Sequence, residues 1–132
     1  MEEARSTIPA RPDEIRAALL DVLALPQWNE AFVSLEGPPV PAVGTSYDLQ
    51  VRPGLRGQLE YAAIEPGRIE IRWQVPGFRE TGVWTIDESG LVTHTFTQTG
   101  PLAALLKSAY RGIAKVRLER LAARLHQLAR TP

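Results

Sequence analysis

The stretch from Pro101 to Arg130 constrains this chain most, because it is the one segment long and periodic enough to form a multi-turn helix. Gly100-Pro101 marks its start, since proline at the first helical position gives up an N–H that would have had no partner there. Leu102, Leu105, Leu106, Ala109, Ile113 and Val116 recur at spacings of three and four, which predicts one buried face. Past Gly112 the apolar stripe moves to Leu118, Leu121, Leu125 and Leu128, about a third of a turn round. Arg117, Arg120 and Arg124 take the side on which the first stripe would have continued. The two halves are therefore expected to bury different faces, with a bend or a change of partner between Gly112 and Leu118.

What precedes this helix reads mostly as short strands. Turn dipeptides fall at Pro53-Gly54, Pro66-Gly67, Pro76-Gly77, Ser89-Gly90 and Gly100-Pro101, ten to thirteen residues apart, the spacing of consecutive antiparallel strands. Between them Tyr47, Leu49 and Val51 alternate with Asp48, Gln50 and Arg52, and Ile69, Ile71, Trp73 and Val75 with Glu70, Arg72 and Gln74. Leu59 with Tyr61, and Trp84 with Ile86, continue the pattern. In the last strand Val92, His94, Phe96 and Gln98 share one side, and Thr93, Thr95, Thr97 and Thr99 the other. Each strand thus has one dry and one wet face.

Upstream, a short strand is expected over Ala4–Ile8, closed by Pro9. Pro12-Asp13-Glu14 opens a helix with two acids at the positive end of its dipole, and Ile15, Ala18, Leu19 and Val22 give it an apolar face. Pro26 should stop it near Leu25. Pro26-Gln27-Trp28-Asn29 then starts a shorter helical turn to about Phe32, and Val33–Glu36 starts the sheet. Pro38, Pro39 and Pro41 make a stiff connector. The expectation is an α+β fold: a curved antiparallel sheet of six to seven strands wrapped around the long C-terminal helix, with two short helices after the first strand. Its apolar face needs a cover, and the C-terminal helix is the adequate one.

The 132 residues suffice for a single domain, and a second would have no room for its own core. Formal charge is zero, but from Pro101 onward seven cations face one acid, Glu119, so that segment carries +6 and the first hundred residues −6. Such asymmetry can serve a nucleic acid or an acidic membrane. The arginines alternate with leucines rather than aromatics, so a solvated helix face is the expectation and no nucleic-acid partner is expected. There is no cysteine, which excludes disulfides, thiolate metal sites and a cysteine nucleophile. No apolar run approaches a membrane span, and the charged Met1-Glu2-Glu3-Ala4-Arg5 start lacks a signal core, so a cytoplasmic protein is expected.

Several local strings, in order, resemble the START-like helix-grip superfamily (the SRPBCC type, including polyketide cyclase/dehydrase and lipid-transport-like proteins). They are Ala10-Arg11-Pro12-Asp13-Glu14-Ile15, Leu20-Asp21, Leu25-Pro26-Gln27-Trp28-Asn29, Val43-Gly44-Thr45 and Gly90-Leu91-Val92-Thr93. The resemblance covers nearly the whole chain. It implies a strand, two small helices, a long antiparallel sheet and a final helix around an elongated pocket for apolar or aromatic molecules. It carries no shared catalytic motif.

His94, inward between Val92 and Phe96, is the candidate catalytic group: it can serve as general base or bind a ligand carbonyl. The alternative is a satisfied core histidine. Gln98 can orient a polar group at the pocket mouth or simply meet water. Tyr47, Tyr61, Trp73, Trp84 and Phe96 provide the broad surface that a flat or lipid-like ligand would bury, although core packing explains each singly. Ala109, Tyr110 and Ile113 complete the candidate ligand set, with Tyr110 placed to swing over the entrance. Trp28 reads as a staple at the helix corner, and His126 as solvated.

No spacing suits a metal, no serine sits in a nucleophile elbow, and no glycine-rich loop opens a helix, so no metal and no cofactor is expected. The leading reading is a binding protein for a small hydrophobic or aromatic ligand, lipid- or polyketide-like, held between sheet and C-terminal helix. The alternative is a polyketide cyclase, aromatase or dehydratase using the same pocket, in which His94 moves a proton. A third reading, weaker than these, has the basic helix dock a protein or nucleic acid.

Overall fold

A computed structural model describes residues 1–130. Seven strands form one antiparallel sheet in the order β1-β7-β6-β5-β4-β3-β2. They are β1 (Glu2–Thr7), β2 (Phe32–Glu36), β3 (Ser46–Val51), β4 (Leu55–Glu65), β5 (Arg68–Val75), β6 (Phe78–Ile86) and β7 (Leu91–Thr99). Every turn dipeptide named above separates two elements. From β2 to β7 each strand pairs with its successor, and the first strand closes beside the last, Ala4 opposite His94.

The helices depart from expectation in three places. The N-terminal helix α1 (Pro12–Leu20) ends at Asp21, short of Leu25, and a 3-10 segment, Val22–Gln27, follows it. Asn29 then leaves helical geometry, and β2 begins at Phe32, where helix had been expected to end. The C-terminal stretch is two helices, α2 (Pro101–Leu106) and α3 (Ile113–Arg130), with a link over 107–112. The break thus precedes Gly112, whose φ of +82° suits glycine and turns the chain into α3.

The first stripe is not a buried face: Leu105 and Leu106 are exposed and Leu102 is half-buried. α3 instead buries Ala114, Leu118, Leu121 and Leu125, and with them Arg117, expected on the solvated side; Leu128 is exposed.

The sheet curves tightly enough to grip α3. Register shifts between Phe32 and Ser34 and between Tyr61 and Ala63 bend their strands. At Gly57 the backbones pass so close that a Cβ would lie 1.8 Å from the Gln74 carbonyl oxygen, so no larger residue fits. The inward face carries the predicted row, with Tyr47, Leu59, Tyr61, Trp73, Trp84, His94 and Phe96 all buried.

Two ends of the molecule differ. At one, which we call the mouth, lie the β3–β4 turn, the Pro76-Gly77 turn, α2 and the start of α3; the Leu102 amide donates to the Gly77 carbonyl at 3.0 Å and ties two of them together. The other end holds α1, the proline-rich connector and the turn at Asp87–Gly90.

Candidate functional site

Alternation along β6 places Phe78, Glu80, Gly82 and Trp84 on the inward face, and so buries a carboxylate, 4% exposed. On α3, Arg117 shares the buried phase of Ala114 and Leu121 and is 5% exposed. The two meet in a bidentate ion pair: Arg117 Nη1 donates to Glu80 Oε2 and Nη2 to Glu80 Oε1, each at 2.9 Å. Trp73 Nε1 donates to Oε2 at 3.0 Å and Gln98 Nε2 to Oε1 at 2.9 Å. Each carboxylate oxygen thus accepts two bonds, the condition under which a buried charge is tolerable.

His94 completes the cluster. Its Nδ1 lies 3.1 Å from the Val83 carbonyl oxygen and its Nε2 3.2 Å from Arg117 Nη1. A carbonyl can only accept and a guanidinium can only donate, so Nδ1 carries the proton and Nε2 accepts. The ring stacks on Trp84 at 3.7 Å between centroids, and Gly82 makes room beside it. Phe96 lies under the Arg117 guanidinium, 4.7 Å from its centroid.

These contacts set the charges. Burial pushes His94 down, Arg117 pushes it further, and together they outweigh the Val83 bond and Glu80 to leave a pKa of about 3. Burial alone would raise Glu80, but the charge of Arg117 and the bonds from Arg117, Gln98 and Trp73 hold it below the usual carboxylate value. At neutral pH the site is therefore a carboxylate and guanidinium pair beside a neutral imidazole.

The remaining candidates divide between core and mouth. The Tyr47 hydroxyl donates to the Pro38 carbonyl at 2.7 Å and the Tyr61 hydroxyl to the Leu19 carbonyl at 2.5 Å, which ties the sheet to the connector and to α1. Trp84 meets Trp28 edge-on, Trp73 meets Phe32 edge-on, and Phe78 links Trp73 to Tyr110. These contacts pack the rings of the inward face against one another. Between residues 28–31, which follow the 3-10 segment, and the start of α3, a cleft of about 240 Å³ remains at the mouth, lined among others by Trp28, Ala31, Ala109, Tyr110, Ile113 and Val116. Arg117 also lines it, so the buried pair backs onto the cleft. Gln98 and Phe96 border a separate depression of about 380 Å³ under α2.

The structure thus gathers His94, Gln98, Trp73, Trp84 and Phe96 around the ion pair, sets Ala109, Tyr110 and Ile113 at the cleft, and keeps Tyr47 and Tyr61 apart as braces. The sequence reading missed Glu80 and Arg117. Their signal was phase alone: Glu80 alternates in step with Phe78 and Trp84, and Arg117 falls three residues from Ala114 and four from Leu121. A larger depression of about 700 Å³ lies on the outer, polar face of the sheet, bordered by Gln58, Gln74, Thr81 and Thr97. Among the described residues no group of three or more His, Asp or Glu side chains could hold a metal ion, and no helix is long and apolar enough to cross a membrane.

Comparison with known proteins agrees with this architecture. The Zhui aromatase/cyclase from Streptomyces sp. R1128 superimposes with a TM-score of 0.71 at 16% identity, over 98% of this chain and 95% of that one. Norcoclaurine synthase from Thalictrum flavum, solved with dopamine and hydroxybenzaldehyde, gives 0.68 at 12% identity, over 96% and 86%. DynU16, from the dynemicin biosynthetic locus, gives 0.63 at 24% identity over 94% of this chain, which spans about half of that protein (46%). At these identities the likeness is one of fold. No protein of curated function matches the sequence. The family model described as polyketide cyclase / dehydrase and lipid transport matches residues 3–126, nearly the whole length, and the chain belongs to that family.

Proposed function

We propose that the protein binds a small apolar or aromatic molecule, lipid- or polyketide-like, in the mouth cleft between residues 28–31 and the start of α3. The observation that carries this reading is the cleft itself: apolar walls from Trp28, Ala109, Ile113 and Val116, with Asn29, Glu30, Arg117 and Arg120 as its polar lining. Few polar groups among apolar walls is the usual make-up of a ligand site. At about 240 Å³ the cleft is smaller than the roughly 300–1,000 Å³ of typical ligand pockets, so a sizeable guest must displace something. The link over 107–112 is the part to move, since Lys107, Ser108, Ala109, Arg111 and Gly112 are all exposed. Swinging Tyr110 aside would open the ring cluster of Phe78 and Phe96 to the guest.

Hydrophobic fluorophores, fatty acids and polycyclic phenols test this. A ligand should raise the melting temperature and change the emission of Trp28, and Ala109→Trp should block it by filling the cleft. No response across the panel sinks the reading, and binding unaffected by Ala109→Trp removes it from this cleft.

A second reading, a cyclase, aromatase or dehydratase, is favoured by His94 standing neutral behind the same cleft. As a base it would need Arg117 to release Nε2, a rearrangement that a ligand oxygen competing for the guanidinium could drive. Orientation of a reactive chain by the cleft would contribute the rest. His94→Gln separates the readings: lost turnover with retained binding supports the enzyme, and unchanged turnover removes His94 from it.

A further inference from the structure

The mouth carries a surface that the cleft does not use. Leu105 is 76% and Leu106 36% exposed, on a short helix whose Ala104 is also exposed. Leu55, 39% exposed, begins β4 at the same end, and Met1 borders one depression with Ala104, Lys107 and Arg111. Large apolar side chains turned to water in one region of a monomer call for an occupant.

Charge narrows the choice. Residues 101–112 contain Lys107 and Arg111 and no acid. Among the described residues neither cation is held in an ion pair, and Arg56 and Arg79, near the mouth, likewise have no carboxylate partner. The acids at this end are engaged: Glu2 on the first turn of α3, Glu30 with Arg120, and Glu119 with Lys115. The exposed valines at the other end, Val40 and Val43, lie in a connector without cations. Among the described residues the mouth therefore combines the most exposed leucine, Leu105, with cations that no carboxylate neutralises; Leu128, 45% exposed between Arg124 and Arg130 at the far end of α3, stands without a second exposed leucine beside it.

We propose that the mouth, led by Leu105 and Leu106 and flanked by Lys107 and Arg111, docks on an anionic lipid bilayer. Leucines projecting from a short helix beside lysine and arginine match the interfacial pattern, in which apolar side chains enter the acyl boundary and cations meet lipid phosphates. A protein partner fits less well, because leucine is under-represented among residues that anchor protein interfaces and the large mouth side chains left exposed are not aromatic. Docking would place the cleft entrance and its movable link against the lipid. The proposal stands whether or not the cleft holds a ligand.

Co-sedimentation of the full chain with vesicles tests it, using phosphatidylcholine alone against an equal mixture with phosphatidylglycerol. Binding should require the anionic lipid and weaken as salt rises. Leu105→Ser should weaken it about tenfold. Lys107→Glu and Arg111→Glu should each weaken it at least about fivefold. All three positions are exposed, so melting temperatures should stay unchanged and show that each variant is folded. No binding to the anionic vesicles overturns the proposal, as does binding that Leu105→Ser leaves intact. Retention on polyglutamate without retention on vesicles assigns the face to an acidic protein and overturns it equally.

Discussion

Arg117 of α3 holds Glu80 of β6 in a two-bonded ion pair at 2.9 Å, with both side chains almost wholly buried, and this pair joins the helix to the sheet across 37 residues of sequence. Trp73, Gln98 and His94 satisfy its remaining groups, so the cluster acts as one unit rather than as five separate bonds.

Removing one partner strands the other charge in the core. Arg117→Met should cost roughly 3–5 kcal/mol, and Glu80→Met a similar amount. The double variant should recover much of that loss, because no unpaired charge remains and the new side chains fill the volume. Denaturant unfolding of the four proteins gives the coupling directly. Additive losses would show that the pair is not a unit.

Acid should weaken the fold in two stages. His94 is held at about 3, below its unfolded value near 6.5, so the unfolded chain binds the extra proton and stability falls as pH drops from about 6.5 toward 3. Glu80 is also lowered, so its contribution is present above the unfolded carboxylate value near 4.5 and is lost as pH falls through the folded value. The slope from His94 approaches about 1.4 kcal/mol per pH unit once the unfolded histidine is charged. His94→Gln should flatten the curve between pH 6 and pH 5, in a range set by the shift above. A curve in that window identical to that of the parent protein would remove His94 as its source.

Glu2 caps α3 from the far edge of the sheet: its Oε1 accepts from the Gly112 amide at 2.9 Å and its Oε2 from the Ala114 amide at 2.6 Å. A carboxylate there satisfies orphan N–H groups and opposes the positive end of the helix dipole. Glu2→Ala should cost about 1 kcal/mol and raise hydrogen exchange at Gly112 and Ala114, with little change at Leu121. Uniform exchange across α3 would mean that the contact does not anchor its start.

The strand frame was legible because its code is local. A Pro-Gly or Ser-Gly pair every ten to thirteen residues marks the reversals, and alternation of two assigns faces, so Tyr47, Trp73, Trp84, His94 and Phe96 could be set inward from their neighbours alone. The C-terminal stretch misled for the same reason. Leu102, Leu105 and Leu106 have helical spacing, but spacing cannot say whether a partner stands opposite, and at the mouth only part of α2 finds one.

Polar residues in the core follow a different rule. The phase of Arg117 among Ala114, Leu118 and Leu121 was present in the sequence, and so was that of Glu80 between Phe78 and Trp84. A guanidinium in that phase can end a buried stripe or sit inside it, and burial is favourable only where a carboxylate arrives with matching geometry. Turn spacing and periodicity therefore determined an antiparallel sheet of six to seven strands, their dry faces and a helix laid across them. The curvature of the sheet, which brings β6 onto α3 so that charges 37 residues apart neutralise each other, belongs to the tertiary structure, because no local pattern encodes the distance between two elements.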